Sequence, residues 1–306
     1  MKKVIFLITL AVTMVACGQK DNNDTKDLDT TPKKVFIPSG VPTAPVPKLD
    51  PMPITPSTTS PAEQGSNPQT PVLKMEEGKP LDLSQLVGGQ KKSVGQVAAE
   101  MIDSIQQMAE SGDADFEYFY GGCFNEGWGV DVDFVEAMKW YKKAAEKKQK
   151  FSFNAIGNLY RTGSGVKADP VQAFDWFKKG AEAKDPQAML NLGNCYYYGM
   201  GVQKDLDTAV KYWKDAAIYG NSYAEAQLGD CYFYGMGVEK NLDKAVEHLT
   251  NAADKGVPGA QYRLGILYYA GQGVKQDLTH SELLMKKARD GGMQEAQDFL
   301  DKQFKK

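Results

Sequence analysis

The chain has 306 residues, a formal net charge of −3 and 42% hydrophobic residues. That length suits one or two domains, and the balance of charge lacks the basic excess that a nucleic-acid-binding surface demands. Its apolar residues are spread unevenly, so the chain divides into segments of different physical character.

The first segment is a secretion signal over 1–16. Lys2 and Lys3 precede an apolar run from Val4 to Val15, which is well short of the about 20 residues that a bilayer-spanning helix needs. The run ends in Met14-Val15-Ala16-Cys17-Gly18, which resembles the lipobox of bacterial lipoproteins, with Met14 where that pattern usually has Leu. The resemblance implies that Cys17 becomes the acylated N-terminus and anchors the chain to a membrane. Several acyl chains, at about 0.8 kcal/mol per buried methylene, hold where one chain holds only marginally. Gly18 after the cysteine, in lipoproteins of this type, points to the outer membrane; a chain facing the periplasm is expected, with a surface orientation as the alternative. The alternative is an ordinary secretory signal followed by a coincidental cysteine.

Residues 17–90 show almost no apolar periodicity. Twelve of the fifteen prolines lie between Pro32 and Pro80, among Thr, Ser, Asp and Asn. Such a composition buries too little apolar surface to offset the entropy of ordering, so a disordered tether is expected. At roughly 3.1 Å per residue in its stiff parts it would reach on the order of 150–200 Å.

The remainder repeats. The phrases Gly127-Trp-Gly-Val, Gly163-Ser-Gly-Val, Gly199-Met-Gly-Val, Gly235-Met-Gly-Val and Gly271-Gln-Gly-Val recur every 36 residues without insertion. Eight residues before each second glycine stands another (Gly121, Gly157, Gly193, Gly229, Gly265), and three residues after that an aromatic (Phe124, Tyr160, Tyr196, Tyr232, Tyr268). This spacing predicts a first helix with one apolar face, ended by glycines that take positive φ at little cost. Asp133, Asp169, Asp205, Asn241 and Asp277 then mark the start of a second helix as N-caps, and Pro170 suits the first helical position. The second helix carries small residues at Ala137, Ala173, Ala209, Ala245 and Ser281. Large ones follow at Trp140, Trp176, Tyr212, His248 and Leu284, then small ones at Ala144, Gly180, Ala216, Ala252 and Ala288. Bulk alternating with small residues lets helices interlock. Five hairpins over 113–293, with half-repeats over 91–112 and 294–306 as caps, give an all-α solenoid in which each repeat buries its face on the next.

The pattern Ala-x-x-x-Leu-Gly-x-x-Tyr-x-x-Gly-x-Gly-Val, then Asp-x-x-x-Ala and Trp with paired alanines, is fullest from Leu192 to Ala217 and is similar to the Sel-one-like repeat family, relatives of tetratricopeptide repeats. Phe116, Ser152 and Arg289 depart from it. The resemblance implies a right-handed superhelix that presents a concave surface, lined by its first helices, to a protein partner. No cofactor and no metal are expected.

The chemistry inventory fits that implication. Cys123, Cys195 and Cys231 share a register filled by Leu159 and Leu267 in the other repeats, which marks an apolar slot. Packed helices sit about 8–10 Å apart and a disulfide needs Cα atoms within roughly 7 Å, so buried free thiols are expected, a strained or intermolecular disulfide being the alternative. His248 and His280 fall in second-helix registers and read as partly buried structural residues. No metal-ligand spacing, phosphate loop or isolated acid/base pair is present, so no enzyme is expected. Some cysteine-rich relatives have been discussed as β-lactam binders or hydrolases, but the second cysteine of each of their repeats is missing here.

Three registers of the first helix, the residue after the glycine and the two after the aromatic, should face a ligand. They supply the candidate partner-binding residues Asn158, Arg161, Asn194, Tyr197, Tyr198, Asp230, Phe233, Tyr234 and Tyr269. Tyrosine and arginine combine large contact area with a polar tip. The structural alternative is that the rings stack between repeats and the Asn and Asp side chains cap neighbouring turns. Two roles use such a face: an envelope scaffold, or an immunity lipoprotein that occludes a toxic effector.

Overall fold

The computed structural model describes residues 94–304, so the expected signal segment, the lipidation at Cys17 and the tether lie outside the described residues. Among the described residues there are twelve α-helices and no strands: α1 (Val94–Glu110), α2 (Ala114–Glu126), α3 (Phe134–Glu146), α4 (Lys150–Thr162), α5 (Pro170–Glu182), α6 (Pro186–Tyr198), α7 (Leu206–Ile218), α8 (Ser222–Tyr234), α9 (Leu242–Asp254), α10 (Pro258–Ala270), α11 (Leu278–Asp290) and α12 (Gln294–Gln303). α2–α3, α4–α5, α6–α7, α8–α9 and α10–α11 pair as hairpins, each helix also packs on the next in sequence, and α1 and α12 stand single at the ends. This is the all-α solenoid that the 36-residue spacing predicts.

Helices of 13 residues are marginal alone in water, so caps and packing must hold them. The second hairpin shows how. Gly163 and Gly165 both take left-handed φ, 76° and 68°, and the Gly163 N–H donates to the Leu159 carbonyl. The Asp169 N–H reaches back to the Tyr160 carbonyl at 2.9 Å, while the Asp169 carboxylate accepts from the Val171 and Gln172 N–H groups at 3.0 Å. Asp133, Asp205, Asn241 and Asp277 cap their helices in the same way. Each such cap contributes on the order of 1 kcal/mol.

A different turn joins one repeat to the next. Residue 112, 148, 184, 220, 256 or 292 takes positive φ there, and Lys148 and Lys184 occupy it where the others are glycines. The first helices are capped by Asp113, Gln149, Asp185 and Asn221, but Val257 and Met293 provide no side-chain cap.

The core is a continuous apolar spine. Tyr141, Phe177, Trp213, Leu249 and Met285, one position after the large register expected to interlock, are the most deeply buried bulky side chains of the second helices. Each presses on the glycine of its own first helix: a Cβ built on Gly157 would lie 2.6 Å from Phe177, and one on Gly229 2.6 Å from Leu249. Burial of such a side chain stabilises by about 1.5–3 kcal/mol. Trp140, Trp176, Tyr212 and His248 lie further out against aromatics: Trp140 meets Tyr120 edge-on, while Trp176 stacks on Phe153, Tyr212 on Tyr196 at 5.7 Å and His248 on Tyr232 at 5.4 Å. The small registers are buried throughout, and the Ser281 hydroxyl, the one polar member, donates to the Gly265 carbonyl at 2.7 Å.

Candidate functional site

The first helices α4, α6, α8 and α10 lie side by side and place the candidate residues in neighbouring rows. On α4, the Arg161 Nε and Nη2 donate to Asn158 Oδ1 at 3.2 and 3.1 Å, which braces the guanidinium along the helix. On α6, Tyr198 is 43% exposed, and its ring meets that of Tyr197 edge-on at 4.9 Å. Tyr197 lies deeper, 5.5 Å from the Trp213 ring, and its hydroxyl donates to Met236 Sδ of the next repeat at 3.6 Å. The same paired geometry recurs on α8, where Phe233 and Tyr234 meet edge-on at 4.8 Å. Phe233 packs against the cluster around Leu249, Leu264 and Leu267.

One expectation fails. Asn194 is only 4% exposed, and its Oδ1 accepts from the Trp213 indole N–H at 3.2 Å, so it belongs to the core and cannot face a partner. The cause is its register: the residue after the helix glycine turns toward the neighbouring helices, and Gly122 and Ile266 at the same position are buried too. Tyr269 is also engaged. Its hydroxyl donates to Gln303 Oε1 at 2.8 Å and its ring packs 5.2 Å from Phe299 and 6.0 Å from Phe304, so α12 covers it.

Asp230 shares that register, is half-buried, and is ion-paired with Arg263 of α10. Arg263 Nε lies 2.6 Å from Asp230 Oδ1, and Arg263 Nη1 donates to the Tyr234 hydroxyl at 3.1 Å. Arg263 Nη2 is left as a buried atom without a hydrogen-bond partner. Burial pushes the Asp230 carboxyl up to about 6, against the pull of Arg263. Arg263 was not singled out from the sequence. The available signal was that it is the single charged residue in α10, but no repeat pattern marks its position.

Other chemistry is structural. Cys123, Cys195 and Cys231 are free, buried thiols, and burial pushes each up to about 12, which removes the thiolate needed for nucleophilic work. His248 Nδ1 sits 2.6 Å from Glu225 Oε2 within the α8–α9 hairpin. Among the described residues no group of His, Cys, Asp and Glu could hold a metal ion, and no helix is long and apolar enough to cross a membrane.

Comparison with known proteins bears on this arrangement. The Sel1 repeat family profile matches residues 114–148, 154–185, 186–218, 222–257 and 258–293. A Sel1 repeat protein from Oxalobacter formigenes is 31% identical, with a TM-score of 0.62 over 67% of this chain and 90% of that one. The protein c5321 of uropathogenic Escherichia coli, described as a protective antigen with an SLR fold, is 32% identical, with a TM-score of 0.59 over 67% of this chain. The match spans only 45% of the c5321 chain. The immunity protein Pa5087 of Pseudomonas aeruginosa is 20% identical, with a TM-score of 0.46 over 63% of this chain and 74% of that one; a likeness at that level does not extend to a role. No curated protein sequence matches the chain.

Proposed function

Since this chain belongs to the Sel1 repeat family, whose repeats bind protein partners, we propose that it is a lipid-anchored protein of the bacterial envelope that holds a partner protein on the face formed by its first helices. The observation that carries this reading is the paired aromatic row on adjacent helices, Tyr197–Tyr198 and Phe233–Tyr234, in which the outer ring of the first pair stands open to solvent. Large rings with a polar tip, fixed from below by core contacts, lose little freedom on binding and so favour association. The inner ring of each pair sets the outer ring's orientation, which gives the face a fixed relief.

In this reading Cys17 carries the anchor and residues 17–90 set the distance from the outer membrane into the periplasm, supported by the lipobox-like Met14–Gly18 stretch and the proline-rich composition. The solenoid acts by binding and not by turnover. A photo-crosslinking residue at position 198, introduced into the full chain in living cells, tests the face: a discrete protein adduct is expected. If position 198 traps nothing while an exposed second-helix position such as Lys211 does, the reading of the face is wrong.

A further inference from the structure

The chain as a whole is slightly acidic, yet cations without an ion-pair partner stand at the C-terminal ends of the first helices of its middle repeats and in the turns that follow them. Arg161 is held only by the neutral Asn158. Lys204 Nζ sits 5.4 Å from the centre of the Tyr197 ring and Lys240 Nζ 5.5 Å from that of Phe233. Among the described residues none of these three cations has an ion-pair partner; the pairs there run Lys139–Glu136, Lys147–Glu117, His248–Glu225, Arg263–Asp230, Lys286–Glu282 and Arg289–Asp290. Lys204 and Lys240 occupy the same position in consecutive repeats, and Ala168 and Gln276 replace them in the repeats on either side, so the lysines accompany the aromatic pairs. Arg263 is 3% exposed and so lies beneath the face. Asp230 is already matched by Arg263, and the exposed Asp205 and Glu239 stand next to Lys204 and Lys240 in sequence without forming an ion pair with them.

We infer that this face, if it is the partner-binding face proposed above, receives an extended acidic segment of the partner, with carboxylates meeting Arg161, Lys204 and Lys240 and apolar side chains lying against Tyr198 and Phe233. Adjacent packed helices stand about 8–10 Å apart, and an extended strand rises about 3.3 Å per residue, so an acid at every third residue keeps step with the repeats. Complementary charge of this kind selects partners and speeds their encounter, and it weakens with salt.

The test is binding of labelled dodecapeptides, bearing Glu, Gln or Lys at every third position and Ala or Leu between, to the full chain. The Glu peptide is expected to bind about tenfold or more tightly than the Gln peptide at low salt, with the margin shrinking in 0.5 M NaCl. A K204Q/K240Q variant, which changes only exposed side chains, should lose most of that margin without a change in melting. Equal binding of the Glu and Gln peptides, or an unchanged margin in the variant, overturns the inference. So does tighter binding of a single-stranded oligothymidylate than of the Glu peptide. The chain's own Asp21, Asp24, Asp27 and Asp29 are a competing occupant: if replacing all four with Asn raises peptide affinity about tenfold, the cations serve that stretch and not a partner, and the inference falls. An adduct at position 198 in cells, alongside peptides that show no charge preference, would leave the partner-binding reading standing and remove only its acidic character.

Discussion

The indole Nε1 of Trp213 stands 2.5 Å from where a Cβ on Gly193 would be. The two residues are 20 apart in sequence and face each other across one hairpin, so a glycine in the middle of α6 is there to admit a ring. Ordinarily Ala in place of a mid-helix Gly stabilises by about 1 kcal/mol. Here Gly193→Ala should instead destabilise by about 1–3 kcal/mol, because the rigid, fully buried indole cannot yield. Gly265→Ala should be tolerated, since its nearest neighbour is the flexible Met285 methyl at 3.0 Å. Urea melts of the two variants check this; equal destabilisation would show that the glycine is not matched to its neighbour's rigidity.

The repeat-to-repeat turns offer a gain. Lys184 holds φ at 61° where four of the six such turns have Gly, and a side chain in the left-handed region costs about 1–2 kcal/mol. Glycine relieves that strain but adds freedom to the unfolded chain. Lys184→Gly should therefore raise stability by about 0.5–1 kcal/mol, seen as a higher melting temperature. A fall would mean that the lysine makes contacts that outweigh its strain.

Acidity should help the fold over a defined window. Asp185 is buried, only one of its oxygens accepts a hydrogen bond, and burial pushes its carboxyl up to about 6 from 3.8. A raised carboxylate favours the protonated folded state, so its stabilising contribution is complete below the unfolded value and is lost as pH rises through about 6. Stability should climb by about 1 kcal/mol for this group between pH 7 and pH 5, and Asp230 acts in the same direction. Chemical denaturation at the two pH values measures it. Asp185→Asn keeps a capping oxygen and should flatten the profile; a wild-type profile that falls over this range would contradict the assignment.

The aromatic pair separates binding from folding. Tyr198→Ala removes an exposed ring and should leave stability within about 0.5 kcal/mol while weakening partner capture. Tyr197→Ala removes contacts to Trp213 and Met236 and should lower stability by about 1–3 kcal/mol. Melting and pull-down of both variants are decisive. Loss of stability at Tyr198 and not at Tyr197 would reverse their assigned depths.

Legibility in the sequence followed the locality of the physics. Caps such as Asp169, stops such as Gly163 and the apolar slot of Cys195 depend on a few neighbours along the chain, and their repetition every 36 residues made them plain. The face was only partly legible. Asn194 carries the polarity of a contact residue, but its surroundings come from Trp213, and the periodicity does not say which side of a first helix meets its own partner and which meets the next repeat. Arg263 broke no pattern because its partners, Asp230 and Tyr234, belong to another repeat.

By itself, then, the sequence determined the unit: a hairpin of two short helices, where each begins and ends, and that the units stack. These follow from backbone conformational preference and apolar spacing, which act within a hairpin's length. Only the tertiary structure decided which bulky register fills the glycine notch, which polar residues sink and which cations remain without a carboxylate. Those depend on distances between residues 20 to 40 apart, and such distances exist only once the helices have packed.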